Sequence, residues 1–378
     1  MKIYKNLLAL ILGLLFSILF LFALEFIASL SIVQNYFNQI PRLTSQEQNG
    51  PFQKSITSYL KSEAHILYSD EILRIASEEG IERDFGAEGT LKLRPNSHFH
   101  QKLISKKSKT LIVESDTTYD EYYRRKTEVN PKAKFNLFLL GGSFTLGHFV
   151  GDQENFPYLL STKLKEFQVY NMGIGGGAPN LMLYDLEEKI NPQRWQNIPS
   201  RDSIAVYTFI DDHINRVICR VECYGSRWML ELPYYQEQDS SFAENGMNQD
   251  HLSQLDLMML KLFSQSSLLK LFKINYPLQL KESDYVRFAS LVAEVKKRIE
   301  AKNSLKDFYV LLYPGMSSHY GRQIIPFLEK HKIKIIDLSN TQFDNQIKKQ
   351  LAIPGDGHPS PFMHKLMAEI ISEQLSIN

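Results

Sequence analysis

Cysteine is scarce in this sequence, and its scarcity excludes several classes of protein. The 378 residues contain only two cysteines, Cys219 and Cys223, too few for a scaffold held by disulfides or for a zinc site built from thiolates. On a regular helix their spacing would strain a bond between them. The pattern therefore leaves two alternatives open, a local disulfide or two free thiols.

An excess of charge of either sign is also missing. Lys and Arg total 43 against 42 Asp and Glu, a formal net charge of +1, and no long block carries a single sign. A nucleic-acid or polyanion partner is therefore not expected. The sequence also lacks the His, Cys and carboxylate spacings of a metal site, so it predicts neither a metal nor another cofactor.

One long apolar run stands near the start of the sequence. From Leu7 to Leu24 every residue is apolar, Gly or Ser, which is long enough to cross a bilayer as a helix. Lys2 and Lys5 precede the run, so the positive-inside rule predicts an inner-membrane protein with a cytoplasmic N-terminus and the remaining chain on the periplasmic or extracellular side. We expect residues 1–34 to form a single-pass anchor, with a cleaved signal peptide as the alternative.

Two regions follow the predicted anchor. Residues 35–133 are polar and then rich in Gly, Pro, Asn and Thr, with short β-favouring runs, and they indicate a stalk and an irregular, partly β lead-in. From 134 to 378, helical segments alternate with apolar runs near 135–140, 168–171, 203–209, 308–313 and 334–337. Strands buried on both faces and alternating with helices predict an α/β fold, a doubly wound, flavodoxin-like parallel sheet of five strands with helices on both faces.

A long insertion separates the third and fourth of these strands. Residues 219–285 contain Asp and Gln clusters and two apolar helical pieces, near Leu255–Phe263 and Ser267–Phe272. Its position beside the carboxyl ends of the strands predicts a helical cap or a wall of the substrate site.

Ser143 is the first candidate for chemistry. Ligands of an open parallel sheet bind outside the carboxyl ends of its strands, and Ser143 follows Gly141 and Gly142 directly after the first buried strand. Glycines allow a sharp turn there, and a serine at a helix start has backbone N–H groups nearby that can stabilise an oxyanion. A serine that only caps the helix is the alternative.

Asp356 and His358 form the second candidate. The segment from Pro354 to Pro361 reads Pro-Gly-Asp-Gly-His-Pro-Ser-Pro and precedes a predicted helix at about 362–375. A histidine oriented by a carboxylate can take the proton of a serine and make it a nucleophile at neutral pH. Taken by itself, such a loop is more often a turn with a solvated histidine.

Over residues 135–375 these motifs resemble the SGNH hydrolase superfamily, in particular its bacterial envelope branch. Ser143 matches the serine turn of that family, and Gly173 matches the glycine after its second strand. Asp356 and His358 match the loop before its last helix. The resemblance implies that Ser143 is the nucleophile and that Asp356 and His358 supply its base. The N–H groups of Ser143 and Gly173 would then form the oxyanion hole.

The sequence departs from that family at two places. Where the family has an asparagine after the third strand, this chain has Asp211, and a carboxylate repels a developing oxyanion unless it is protonated or turned away. Asn180 and His213 are the candidates to replace that donor, and Asp211 is then expected to anchor its loop. The spacing of Asp356 and His358 is also one residue shorter than the commoner Asp-x-x-His.

The resemblance implies an enzyme that acts on O-acyl esters. Acetyl groups of envelope or exported polysaccharide are the expected substrate, because an anchored site outside the membrane meets glycans. An esterase and an O-acetyltransferase share the same serine chemistry, so both stay open. The alternative from another class is a degenerate module that binds glycan or supports an envelope assembly without turnover, since a lost oxyanion donor lowers the rate by about 10²–10³-fold.

Overall fold

The structure is a computed structural model that describes residues 17, 19–27, 72–76, 81–82, 92–93, 95–105, 110–220, 228–239, 241–272, 279–317, 320–341 and 343–376. The stalk predicted from residue 35 falls outside these residues as far as residue 71. Residues 1–16, 18 and 28–34 of the predicted anchor also lie outside them.

The described part of the lead-in contains short strands, as its β-favouring runs predict. They are β1 (Ile72–Ala76), β2 (Ile81–Glu82), β3 (Lys92–Leu93), β4 (His98–Ser105) and β5 (Leu111–Thr118). β1, β4 and β5 form an antiparallel sheet, and β2 pairs with β3. The Thr118 N–H donates to the Asp152 carboxylate at 3.0 Å, so the lead-in is tied to the loop that follows Ser143. The domain boundary at residue 133 stays a prediction.

The main sheet consists of five parallel strands. They are β6 (Phe135–Gly141), β7 (Phe167–Gly173), β8 (Asp202–Phe209), β11 (Ser304–Leu312) and β12 (Lys334–Asp337). Their order is β12-β11-β8-β6-β7, and every neighbouring pair is parallel. Because the first strand in sequence lies between the second and the third, the order is that of a doubly wound, flavodoxin-like sheet. The predicted α/β fold with a five-stranded parallel sheet is confirmed.

Helices cover both faces of this sheet and also occur in the insertion. They are α1 (Ser143–Leu146), α2 (Phe156–Lys163), α3 (Pro179–Leu186), α4 (Asp212–Ile218), α5 (Gln254–Gln265), α6 (Ser267–Phe272), α7 (Glu282–Lys302), α8 (Gly321–Lys330), α9 (Asn345–Lys348) and α10 (Pro361–Ser376). Side chains of α3, α4, α7 and α8 build the core on one face, and those of α2 and α10 build the core on the other.

Successive residues of β6 enter these two cores in alternation. Phe138 and Leu140 belong to the core with α3 and α7, whereas Leu137 and Leu139 belong to the core with α2 and α10. This alternation follows from the two-residue repeat of a strand. Burying each such side chain contributes about 1.5–3 kcal/mol, so a shift of register by one residue would be costly. The end of β6, where Ser143 follows, is therefore held firmly against its neighbours.

The insertion contains a β-hairpin that its sequence pattern does not predict. β9 (Pro233–Gln238) and β10 (Ser241–Met247) pair antiparallel and precede α5 and α6, which lie at the two predicted helical pieces. The strands are short and largely polar, so apolar periodicity gives little signal there. Only Tyr235 and Phe242 of the hairpin join the main core. The insertion is therefore mixed α and β rather than helical.

Cys219 lies just beyond the end of α4. Its backbone is left-handed, with φ 56°, and its thiol is disulfide-bonded. The other cysteine of the chain, Cys223, lies outside the described residues.

Residues 19–27 are the described part of an N-terminal helix. Its large apolar side chains are exposed. The Glu25 carboxylate accepts the N–H of Ser267 at 2.7 Å and that of Leu268 at 3.3 Å, which attaches this helix to the start of α6. Among the residues that the structure describes, no helix combines the length and the apolar character needed to span a bilayer.

Candidate active site

Three residues predicted to act together meet at the carboxyl end of the main sheet. The Ser143 Oγ lies 2.9 Å from His358 Nε2, and His358 Nδ1 is hydrogen-bonded to the Asp356 carboxylate. Ser143 and His358 are 215 positions apart in the chain, so the tertiary fold brings them together. The geometry lets Ser143 O–H donate to Nε2 while Nδ1–H donates to the carboxylate. A serine nucleophile and its base require this order of hydrogen bonds.

The serine turn is shaped by the glycines before it. Gly141 ends β6 with φ 140°, and a Cβ there would lie 2.5 Å from Thr145 Oγ1. Ser143 is the first residue of α1, Gly142 is its N-cap, and the serine is partly exposed. The Ser143 N–H has no acceptor among the described residues. This donor is therefore open to an oxyanion.

Two further glycines shape the loop that holds Asp356 and His358. Gly355 and Gly357 have φ of 75° and 80°, a left-handed conformation that costs glycine little. The Ile353 N–H donates to the His358 carbonyl at 2.8 Å and closes the loop. Because the chain turns tightly at Gly357, the short Asp-x-His spacing still brings carboxylate and imidazole into contact.

Aromatic rings surround the imidazole of His358. The ring centroids of Phe144, His148 and Phe149 lie 5.7, 5.0 and 5.8 Å from that of His358. The His358 side chain is 20% exposed, and the Asp356 side chain is fully buried. The carboxylate is thus shielded from water while the imidazole stays reachable. Shielding strengthens the attraction between the two groups when the histidine takes up a proton.

Arg125, which no sequence motif marks, holds the far side of the serine turn. Its buried guanidinium donates to the carbonyls of Leu146 at 2.8 Å and Val150 at 2.5 Å, and to the carbonyl of Gly147. Its Nε donates to the Asp152 carboxylate at 3.2 Å. These bonds fix the chain as it leaves α1, which suits the rigid fork of an arginine. A single arginine in a polar lead-in carries no sequence signal for this role.

Gly173, predicted as an oxyanion donor, has a different part in the structure. Its N–H donates to the Asn171 side-chain oxygen at 3.0 Å, so the donor is already engaged. A Cβ at Gly173 would lie 2.3 Å from Leu146 N, so glycine is required because α1 packs directly on β7. Farther along the same loop, the N–H groups of Gly175 and Gly176 have no acceptor among the described residues. The prediction for Gly173 is corrected accordingly.

Asp211 is bonded to the loop that follows β11. Its carboxylate accepts the Tyr320 N–H at 2.9 Å, and its own N–H donates to the Met316 carbonyl at 2.7 Å. Its neighbour Asp212 lies 3.7 Å from Arg216. Asp211 therefore anchors its loop, and the prediction that it stands in for an oxyanion donor is corrected.

Asn180 is also occupied elsewhere. Its amide donates to the Pro233 carbonyl at 2.9 Å, which fastens the hairpin of the insertion to α3. One donor of this amide is thus engaged, and the role of Asn180 at the oxyanion stays a prediction. His213, the other candidate named from the sequence, has its ring against Gly142 at the back of the serine turn.

Several solved structures are similar to this chain at low identity. A member of the lipolytic protein G-D-S-L family from Veillonella parvula DSM 2008 is 15% identical with a TM-score of 0.35, over 63% of this chain and 97% of that one. A carbohydrate esterase whose active site displays divergent catalytic and non-catalytic binding functions is 11% identical with a TM-score of 0.38, over 81% of this chain and 98% of that one. A carbohydrate esterase family 2 enzyme with a carbohydrate binding domain, from Corynascus thermopiles (Myceliophthora fergusii), is 11% identical with a TM-score of 0.35, over 81% and 86%. The sequence matches no protein-family model and no curated protein.

These TM-scores are low, so the assignment of the fold rests on the chain's own topology and geometry. The doubly wound strand order, the serine turn after the first strand and the histidine loop before the last helix occur together here. The chain therefore has a doubly wound α/β fold, with these motifs in the order that the resemblance to the SGNH hydrolase superfamily implies.

Proposed function

We propose that this protein is a serine hydrolase or acyltransferase that acts on O-acyl esters through an acyl–serine intermediate. The observation that carries the proposal is the 2.9 Å contact between Ser143 Oγ and His358 Nε2, on an imidazole bonded to the buried Asp356 carboxylate. An exposed hydroxyl beside an oriented base is the arrangement that activates a serine at neutral pH. A serine that only capped a helix would need no such partner, and here Gly142 occupies the cap.

The first half of the reaction moves the acyl group to the enzyme. His358 Nε2 takes the proton of Ser143 Oγ as this oxygen attacks the ester carbonyl carbon, and the carbonyl oxygen becomes an oxyanion. The Ser143 N–H, which has no acceptor among the described residues, donates to this oxyanion. The bond between the acyl carbon and the alcohol oxygen then breaks. The alcohol leaves with the proton that His358 held.

The second half of the reaction uses the same residues in reverse. His358 takes a proton from water or from a sugar hydroxyl, whose oxygen attacks the acyl carbon. The bond to Ser143 Oγ breaks, and the serine regains its proton from His358. Water gives a free carboxylic acid, so the enzyme is an esterase, whereas a sugar hydroxyl gives an acyltransferase.

We further propose esters of envelope or exported polysaccharide as the substrate. The apolar run from Leu7 to Leu24 with lysines before it supports an inner-membrane anchor and a site on the periplasmic or extracellular side. Residues 19–27 are helical with exposed apolar side chains, which agrees with that anchor. The Trp228 ring lies 2.9 Å from the position of a Cβ on Gly176, and an indole at this place offers a flat surface to a sugar ring.

A degenerate binding module is the less favoured function. Its support was a carboxylate opposing the oxyanion at position 211. Since the Asp211 carboxylate accepts the Tyr320 N–H instead, that support is absent from the structure.

Turnover of p-nitrophenyl acetate by the full-length protein in detergent tests the proposal. Ser143→Ala should lower kcat on the order of 10⁴-fold or more and abolish labelling by a fluorophosphonate probe. Ser200→Ala, at an exposed serine in the loop before β8, is the matched control and should behave like the wild type. A soluble oligosaccharide added as acceptor then separates the two reactions, because a transferase yields acetylated sugar and an esterase yields acetate.

Two results would contradict the proposal. One is a folded wild-type protein that neither turns over the ester nor reacts with the probe. The other is turnover by Ser143→Ala at the wild-type rate.

A further inference from the structure

A buried histidine behind the serine turn takes no part in the proton transfers between Ser143 and His358. His213 lies on α4 and is 1% exposed. Its Nδ1 is 2.7 Å from the Tyr207 hydroxyl, and its Nε2 has no hydrogen-bond partner among the described residues. Leaving a buried polar atom unpaired costs about 1–3 kcal/mol. Such an atom in a native protein calls for an explanation.

The unpaired nitrogen faces the residue that precedes the nucleophile. A Cβ on Gly142 would lie 3.0 Å from His213 Nε2 and 3.3 Å from Arg216 Nη1. The backbone nitrogen of Ser143 is only two covalent bonds from the Gly142 Cα. His213 Nε2 therefore lies close to the stretch of backbone that carries the Ser143 N–H.

The hydrogen bond with Tyr207 selects the tautomer of His213. Burial, together with the nearby charge of Arg216, lowers the pKa of His213 well below its ordinary value, so the ring is neutral and carries one N–H. With that proton on Nδ1, both the Tyr207 O–H and Nε2 would lack partners among the described residues. With the proton on Nε2, Tyr207 donates to Nδ1 and only the Nε2–H is unpaired. The second arrangement costs less, so Nε2 is a donor.

The groups around Gly142 thus form a set of donors. Arg216 Nη1 donates to the Gly177 carbonyl at 3.1 Å, and the guanidinium adds positive charge beside the turn. The Nε of Arg216 is buried without a hydrogen-bond partner in the described part of the chain. An unpaired N–H and a positive charge, both next to a nucleophile, suit an oxygen that gains negative charge during the reaction.

We propose that His213 donates its Nε2–H to the oxyanion and takes the place of the asparagine that the family resemblance puts at position 211. The proposal rests on the proposed function, since the ester carbonyl oxygen gains its charge when Ser143 attacks. No proton leaves His213, which acts as a hydrogen-bond donor only. Because this bond forms only as charge develops, it raises kcat rather than the affinity for substrate.

The test compares His213→Leu, which has no donor, with His213→Gln, whose amide N–H can donate. Both are measured in the full-length protein for kcat and KM with p-nitrophenyl acetate, for inhibition by phenylboronic acid and for Tm. The boronic acid forms a tetrahedral, negatively charged adduct on a serine oxygen and so reports on the oxyanion site. His331→Leu, at an exposed histidine after α8, is the matched control and should leave all of these values unchanged.

For His213→Leu we expect kcat to fall by about 10²–10³-fold and boronate inhibition to weaken by a similar factor. KM should change by less than about threefold, because the lost bond is made only in the transition state. His213→Gln should retain more activity than His213→Leu. Tyr207→Phe keeps the aromatic ring but loses the hydroxyl that selects the tautomer of His213, so it should lower kcat by about tenfold. This variant tests the proposal if His213→Leu does not fold.

A purely structural role predicts a different pattern. A folded His213→Leu that keeps its kcat would overturn the proposal, as would a loss of kcat with boronate inhibition unchanged. Unchanged kcat in Tyr207→Phe would also overturn it. A wild-type protein without Ser143-dependent turnover contradicts the proposed function itself, and this is measured before any variant at position 213 is compared.

Discussion

The two halves of the site differ in how closely they follow their sequence motifs. On the acid–base side, Ser143, His358 and Asp356 form one continuous chain of hydrogen bonds. On the oxyanion side, Gly173 and Asp211 are bonded to other groups, the first to a side chain of its own strand and the second to the loop after β11. A motif thus locates a stretch of backbone, but the neighbouring loops decide which way its polar groups point.

Replacing Asp356, the buried carboxylate, should lower kcat strongly and tests the acid–base side of the site. In Asp356→Asn the amide no longer selects the Nδ1–H tautomer of His358, so we expect kcat to fall by about 10³–10⁴-fold. p-Nitrophenyl acetate turnover measures this. Asp239→Asn, at an exposed turn, is the control and should keep its activity. A loss smaller than about tenfold would mean that the histidine does not need its carboxylate.

The residues of the acid–base side could be predicted from the sequence for physical reasons. The run at 135–140 is continuously apolar and ends in two glycines, which predicts both a buried strand and a sharp turn at Ser143. The short Asp-x-His spacing needed one more feature, the left-handed backbone at Gly355 and Gly357. Glycine at both positions permits it, but the sequence does not show which direction the loop takes.

The supporting contacts could not be predicted in the same way. Arg125 reaches carbonyl oxygens that every residue possesses, so no residue type marks its partners. The Asp211 carboxylate accepts a hydrogen bond from the Tyr320 N–H, a backbone group more than 100 residues away in the chain. The hairpin of the insertion was missed because most of its side chains are polar, and only Tyr235 and Phe242 join the core.

Replacing Arg125 should have an intermediate effect and tests whether the serine turn depends on the lead-in. Arg125→Lys loses the fork that binds several carbonyls and the Asp152 carboxylate. We expect the free energy of unfolding to fall by about 3–5 kcal/mol, as for breaking a buried ion pair, and kcat to fall by about tenfold because the turn relaxes. Chemical denaturation and kinetics measure these. Arg322→Lys on the exposed side of α8 is the control, and equal stability of the two variants would refute the role of Arg125.

A smaller effect, on the pH dependence of stability, is expected from His364 in α10, the helix that follows the histidine loop. Burial, followed by the charges of Arg125 and His358, lowers the pKa of His364 from 6.5 to about 3, and its Nδ1 accepts the Phe156 N–H at 3.2 Å. Between these two pH values the unfolded chain binds a proton that the folded protein does not. Stability from this group is therefore full above pH 6.5 and decreases as the pH falls toward 3, by at most about 1.4 kcal/mol per pH unit.

His364→Gln should flatten this dependence. Unfolding by denaturant between neutral and acidic pH measures it, with the slope of unfolding free energy against pH as the readout. The absolute stability of the variant does not enter the comparison. Identical slopes for wild type and variant would show that His364 titrates normally.

The smallest change in kcat is expected for a substitution at Asp211. This substitution tests which residues act on the oxyanion side. An amide oxygen in Asp211→Asn can still accept the Tyr320 N–H, so kcat should change by less than about threefold. A rise of about tenfold or more would mean that the side chain reaches the oxyanion after all. Steady-state kinetics of Asp211→Asn and His213→Leu, measured under the same conditions, compare the changes in kcat at the two positions.

In the proposed reaction Ser143 carries the acyl group during turnover. Acid quenching of the full-length protein during p-nitrophenyl acetate turnover, followed by proteolysis and mass spectrometry, tests it directly. We predict an acetyl group on the peptide that contains Ser143, located on that residue and absent from Ser143→Ala. Turnover with the acetyl group on another residue, or with an unmodified Ser143 under conditions that trap the intermediate of a known serine esterase, would contradict it.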